Sequence, residues 1–179
     1  MQNPRRRGWA LSLFGLTCCG LMNAHAATPS PHLCTAGEQV VFACAVKGKR
    51  VSVCATPDAR ANRGTLTYRF GVATASPELQ LPDAPTPPAQ AAHGAVETYA
   101  GGGGAWLRFA KGAYTYTVFT GVGRWGPQGQ VVEREGVLVE RQGKTVAHLP
   151  CTAAASSELS PDWYERMGIQ PGDQEFAFP

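Results

Sequence analysis

The stretch Ala105-Trp106-Leu107-Arg108-Phe109-Ala110-Lys111-Gly112-Ala113-Tyr114-Thr115-Tyr116-Thr117-Val118-Phe119-Thr120 decides the fold. It is rich in aromatic and β-branched residues, and a glycine interrupts it midway, which is the pattern of two strands joined by a tight turn. A two-residue turn at Lys111-Gly112 predicts that Phe109 faces Tyr114 and Leu107 faces Tyr116, an aromatic cross-strand set that stabilises a sheet. Side chains alternate along a strand. Trp106, Arg108, Thr115, Thr117 and Phe119 therefore share the reverse face.

The pattern repeats on either side. Val40 to Val46 and Val51 to Ala55 flank Lys47-Gly48-Lys49, and Val137 to Arg141 and Lys144 to Leu149 flank Gln142-Gly143, which sets Val139 opposite Val146. Both faces of the first of these hairpins are largely apolar, so it is expected to be covered on both sides. Leu66, Tyr68 and Phe70 alternate with polar residues and read as a half-buried strand, and Glu78 to Leu81 as a short one. Pro82 to Gly94 holds four prolines and a single charge, Asp83, and reads as an exposed, mobile loop. Near the end, Ser160, Pro161, Asp162 and Gly168 punctuate a short helix: a cap, a first-turn proline, an early acid and a terminating glycine. The expected class is mainly β, an antiparallel sandwich or barrel built from hairpins with one short C-terminal helix.

The first 26 residues read as an address. Arg5, Arg6 and Arg7 precede a mostly apolar run from Trp9 to Met22, and Ala24-His25-Ala26 offers small residues at −3 and −1. These are the parts of a cleaved signal peptide. The run is short for a membrane span, which needs about 20 apolar residues. Cys18 and Cys19 lack the small residue a lipidation site would place before them. Residues 27–33 read as a flexible lead-in and 34–179 as one domain, as befits 179 residues.

Cleavage changes the chemistry of what remains. Of 16 Lys+Arg, loss of three arginines leaves 13, against 13 Asp+Glu. A nucleic-acid or anionic-membrane partner, which needs clustered excess cations, is not expected, nor is a transmembrane segment in the mature chain. Four cysteines stay: Cys34, Cys44, Cys54 and Cys151. An even count in an exported chain reads as disulfides. A two-residue turn at Gly48-Lys49 puts Cys44 and Cys54 on opposite faces, whereas a three-residue loop would set them opposite each other. With the first register, the expected bonds are Cys34–Cys44 and Cys54–Cys151. The spacing contains no C-x-x-C, so no metal site is expected.

No catalytic set is legible, and no cofactor is called for. His32 sits in the lead-in, His93 in the Pro/Ala loop and His148 on a strand. Asp162 and Glu165 fit helix N-terminal charge better than a carboxylate pair, and Glu133, Glu135 and Glu140 alternate with Arg134 and Arg141 as on a solvated surface. Gly101 to Gly104 are followed by a strand rather than a helix, which does not suit a phosphate loop. The candidate binding residues are Arg124 and Trp125 in a Gly-rich turn, since Arg and Trp anchor interfaces; the competing reading is that Trp125 covers one end of the sheet.

Two cysteine segments, Val40-Val41-Phe42-Ala43-Cys44 and Val51-Ser52-Val53-Cys54, are similar to those of a group of small exported bacterial proteins with a four-cysteine β-rich domain. So are Leu66-Thr67-Tyr68-Arg69-Phe70-Gly71, the glycines before Leu107-Arg108-Phe109, and Leu149-Pro150-Cys151. The resemblance implies a periplasmic or secreted home and supports the four-cysteine framework. It carries over no catalytic residues. The expected function is a non-catalytic binding protein, an inhibitor or immunity factor for an envelope-active enzyme, with a protein as partner. The alternatives are a module for a glycan or small apolar ligand, and an enzyme whose site would join His148 to a carboxylate.

Overall fold

A computed structural model describes residues 31–173 and 175–179. The leader read at residues 1–26 lies outside them. The described residues form ten strands and two short α-helices: β1 (Gln39–Val46), β2 (Lys49–Ala55), β3 (Leu66–Gly71), β4 (Leu79–Leu81), α1 (Pro88–Ala91), β5 (His93–Tyr99), β6 (Gly102–Lys111), β7 (Tyr114–Gly123), β8 (Val132–Arg141), β9 (Lys144–Pro150), β10 (Ser156–Ser157) and α2 (Pro161–Met167). They build two antiparallel five-stranded sheets, ordered β10-β1-β2-β3-β4 and β5-β6-β7-β8-β9. The architecture is a sandwich. Phe42, Val51, Val53 and Tyr68 of the first sheet pack against Leu107, Phe109, Val118 and Val137 of the second. Tyr68 meets Phe109 at 5.6 Å and Tyr116 at 5.8 Å between ring centroids.

The hairpins form where expected, with turns set by backbone conformation. The first turn is Lys47-Gly48, both with positive φ (45° and 80°), the primed geometry that matches strand twist. It lies one residue before the expected Gly48-Lys49. The central turn is Gly112-Ala113, with Val118 opposite Leu107, Tyr116 opposite Phe109 and Tyr114 opposite Lys111, again one residue from expectation because Gly112 supplies the positive φ at the first turn position. Moving a turn by one residue shifts the register by two, so every side chain keeps its face. The third turn, Gln142-Gly143, stands as read. A bulge between Val139 and Glu140 places Val139 opposite Ala147 instead of Val146, and Val146 points outward, 55% exposed.

The disulfides correct the expected pairing. Cys44 and Cys54 do face opposite ways, but the bonds are Cys34–Cys54 and Cys44–Cys151. Cys44 shares the inner face with Val46 and Phe42, and reaches the chain where it leaves β9. There the chain crosses back to the first sheet, with Thr152 N–H donating to the Ala45 carbonyl at 2.8 Å. Cys54 shares the outer face with Ser52, Thr67 and Arg69, all buried. Residues 31–38 lie over that face. The Leu33 N–H donates to Ser52 Oγ at 2.9 Å, and Arg69 grips Glu38 with two bonds of 2.6 and 3.0 Å. The end of the lead-in is therefore fastened rather than loose, and β3 is covered on both faces rather than half-buried.

The Pro/Ala segment is also more ordered than its composition implies. Pro88 to Ala91 form α1, Ala91 and Ala92 are buried, and His93 and Gly94 begin an edge strand. The C-terminal helix matches its punctuation: Ser160 Oγ accepts from the Trp163 N–H, Pro161 opens the helix, and Gly168 ends it at φ 63°. It closes one end of the sandwich through Trp163, Tyr164 and Met167. No helix among the described residues is long and apolar enough to cross a membrane.

Burial pushes the Glu38 carboxyl up, but the bonds from Arg69 and Thr35, with the Arg69 charge, outweigh it and hold the group below its ordinary value of 4.5. A carboxyl held low stabilises the fold above its unfolded pKa, and that contribution disappears as pH falls through the lowered value. Glu38→Gln should therefore cost about 1–3 kcal/mol at pH 7. Urea midpoints at pH 7 and below pH 3 should show the gap from the parent chain closing in acid.

Candidate functional site

The structure places Arg124 and Trp125 in the turn between β7 and β8 and uses both locally. The Arg124 side chain passes over Gly101, where a Cβ would lie 2.9 Å from its Cδ. Trp125 is half-buried. It stacks on Phe178 with ring centroids 5.7 Å apart and planes 22° apart, and meets Tyr99 at 5.7 Å. Arg134 lies over the same indole at 5.2 Å, donates to the Trp125 carbonyl at 3.1 Å and donates to the Pro179 oxygen. The covering role expected as the alternative for Trp125 is the one the contacts show, and what it covers is the end of the chain.

That end forms a strap, residues 170–173 and 175–179, across the outer face of the second sheet. Trp106 and Phe119 lie on this face and are 1% and 0% exposed. Phe176 contacts them at 5.7 and 5.6 Å. Phe178, two residues on and so on the same side of an extended chain, packs against both Trp125 and Tyr99. Its seat is floored by glycine. A Cβ at Gly104 would fall 2.4 Å from the Phe178 ring, one at Gly121 2.9 Å from it, and one at Gly123 2.6 Å from the Trp125 ring. None of these three glycines has the positive φ that favours glycine, so space for the rings is what requires them. Gly102 to Gly104 are themselves the opening residues of β6.

Where the strap leaves the helix it borders a pocket. Gly94 N–H donates to the Gln170 carbonyl at 2.9 Å, and a Cβ on Gly172 would lie 3.1 Å from the His93 ring. Between Pro171–Asp173, the segment from Pro82 to His93, and the floor of β6 and β7 lies a cavity of about 510 Å³. Ligand sites span roughly 300–1,000 Å³. Arg108 forms its floor. The residue is 7% exposed, its guanidinium lies 4.9 Å over the Trp106 ring, its Nε donates to Thr117 Oγ1 at 3.2 Å, and Glu140 lies 3.7 Å away. The Thr115 hydroxyl donates to the same Glu140 carboxylate at 3.3 Å. Burial lowers the Arg108 pKa and Glu140 raises it; a guanidinium stays cationic throughout. Register brings His93 directly opposite Arg108.

The other candidates fall elsewhere. His148 is exposed on β9 with its ring 6.0 Å from Phe119. Burial and the Arg134 charge lower its pKa, and among the described residues no hydrogen bond joins it to a carboxylate. His32 accepts from the Cys34 N–H at 3.2 Å. Asp162 lies in the first turn of α2. Glu135 accepts from the Ala155 N–H at 2.7 Å, and Glu140 belongs to the Arg108 pair, so neither is merely a solvated charge. Cys34, Glu38 and Cys54 have donor atoms within 4.8 Å of one another, but the two sulfurs are bonded to each other.

Strand alternation alone puts Arg108, Thr115 and Thr117 on one face; His93 and the strap join them through contacts distant in sequence. The available signal was Phe176-Ala177-Phe178, a two-residue aromatic alternation after the helix. Burying a phenylalanine contributes roughly 1.5–3 kcal/mol, while ordering backbone costs roughly 1–2 kcal/mol per residue. The strap therefore depends on both rings together with Arg134. Gly121→Val should unseat Phe178, change the near-UV dichroism of Trp125 and cost about 1–3 kcal/mol; an unchanged aromatic spectrum would contradict the seat. No family model, curated protein or solved structure matches this chain.

Proposed function

We propose that the chain is a non-catalytic binding protein of the periplasm or the exterior, and that its ligand is a small molecule held in the pocket under the strap. The observation that supports this is the pocket itself: a concave site of ligand size whose polar floor, Arg108, is immobilised by Trp106, Thr117 and Glu140. A polar group fixed before a ligand arrives spares the ordering cost of binding. Two disulfides are compatible with an oxidising compartment, as are the leader-like first 26 residues. Trp125, on which a protein-docking reading leaned, is engaged by Phe178 and Arg134.

The inhibitor or immunity reading keeps one observation in its favour. Val131 is 61% exposed in the segment that also carries the exposed Arg124, at one end of the second sheet.

Native mass spectrometry on protein isolated gently from its host's envelope fraction tests both. The expected result is a chain beginning at Ala27, with all four cysteines resistant to alkylation, carrying a small-molecule adduct. A stoichiometric protein partner with no adduct would favour the inhibitor. An intact leader with free thiols would overturn the export reading.

A further inference from the structure

The geometry points to a ligand class for this pocket: a neutral, hydroxyl-rich molecule of mono- or disaccharide size. This rests on the small-molecule reading above and goes beyond it. The side chains around the cavity include a carboxylate (Asp173), an amide (Gln90), an imidazole (His93), a guanidinium (Arg108) and a hydroxyl (Thr115). Donors and acceptors are mixed. A hydroxyl both donates and accepts, and vicinal hydroxyls meet a planar carboxylate or amide in pairs. The rest of the wall is small and flat, with Pro82, Pro171 and Ala110, surfaces suited to the C–H face of a sugar ring.

Other classes fit worse. An anion would meet a guanidinium whose charge Glu140 already offsets at 3.7 Å, in a pocket that the Asp173 carboxylate also lines. A free amino acid would have its ammonium near Asp173, but its carboxylate would have to compete with Glu140 for Arg108. An apolar ligand would strip water from six polar side chains, Thr86 among them, and return no hydrogen bonds, a cost that apolar contact with two prolines and three alanines does not offset.

The strap gives this site its wall. Asp173 and Pro171 reach the pocket because the chain is held at Gln170 by Gly94 and further on by Phe176 and Phe178. Asp173, Gln90 and His93 are exposed, so each can be changed without disturbing the core.

The test titrates the full mature chain with glucose, N-acetylglucosamine and their β-linked disaccharides. Galacturonate, glutamate and laurate serve as comparison ligands. Calorimetry gives affinity, and the His93 imidazole and Gly172 amide resonances report location. The expected result is saturable binding of at least one neutral sugar that moves both resonances, weakened tenfold or more by Asp173→Asn and by Gln90→Ala. Phe178→Ala, which loosens the strap, should weaken it as well. If galacturonate, glutamate or laurate moves those resonances and no neutral sugar does, the class is wrong and the pocket stands. If none of the probes moves them, the class is overturned, and if the envelope-isolated protein also carries no adduct the pocket reading falls with it.

Discussion

Trp106 and Phe119 stand on the side of the second sheet that faces away from the sandwich interior, yet both are shut off from water. Much of the rest of the molecule follows from that arrangement. Two large rings on an outer face require a cover, and the cover here is the last stretch of the chain, laid down after the helix and pinned by two phenylalanines. The three glycines beneath those rings, the indole that stacks beside them and the guanidinium that clasps the final residue are all consequences of housing that cover. The pocket is a further one, since a segment stretched between two anchors leaves a gap beneath it.

The first sheet meets the same need by different chemistry. Its outer face carries Ser52, Cys54, Thr67 and Arg69 rather than rings. The covering segment, residues 31–38, is held by a disulfide, a backbone-to-serine hydrogen bond and a two-pronged ion pair. Polar groups that are buried need partners, and here the Leu33 N–H serves Ser52 and Glu38 serves Arg69. One cover is thus directional and covalent, the other apolar and packed.

Local patterns in the chain carried much of this. The three hairpins, the alternation of faces, the short helix with its serine and glycine, and the opposed directions of Cys44 and Cys54 all follow from spacing of two or from turn chemistry. What spacing cannot convey is which distant segment lies on which face. Cys34 and Cys151 each had two plausible partners, and only the path of residues 31–38 over β2 and the return of the chain after β9 decides between them. His93 was read as a loop residue because prolines surround it; its place beside Arg108 comes from edge pairing with β6, a non-local contact. Glycines 104, 121 and 123 leave room for rings that come from elsewhere in the chain, which nothing in their local spacing announces.

The bond between Cys44 and Cys151 closes a covalent ring of chain that contains the whole second sheet, α1 and all of β2 to β4, while the helix and the strap hang outside it. A protease that cuts once anywhere within that ring leaves a single molecule whose fragments stay tethered. A cut between Gly168 and Pro171 instead releases a peptide held only by non-covalent contacts, and takes one wall of the pocket with it. The architecture therefore shields the scaffold from a protease and leaves the strap, with its side of the pocket, as the part that can be removed.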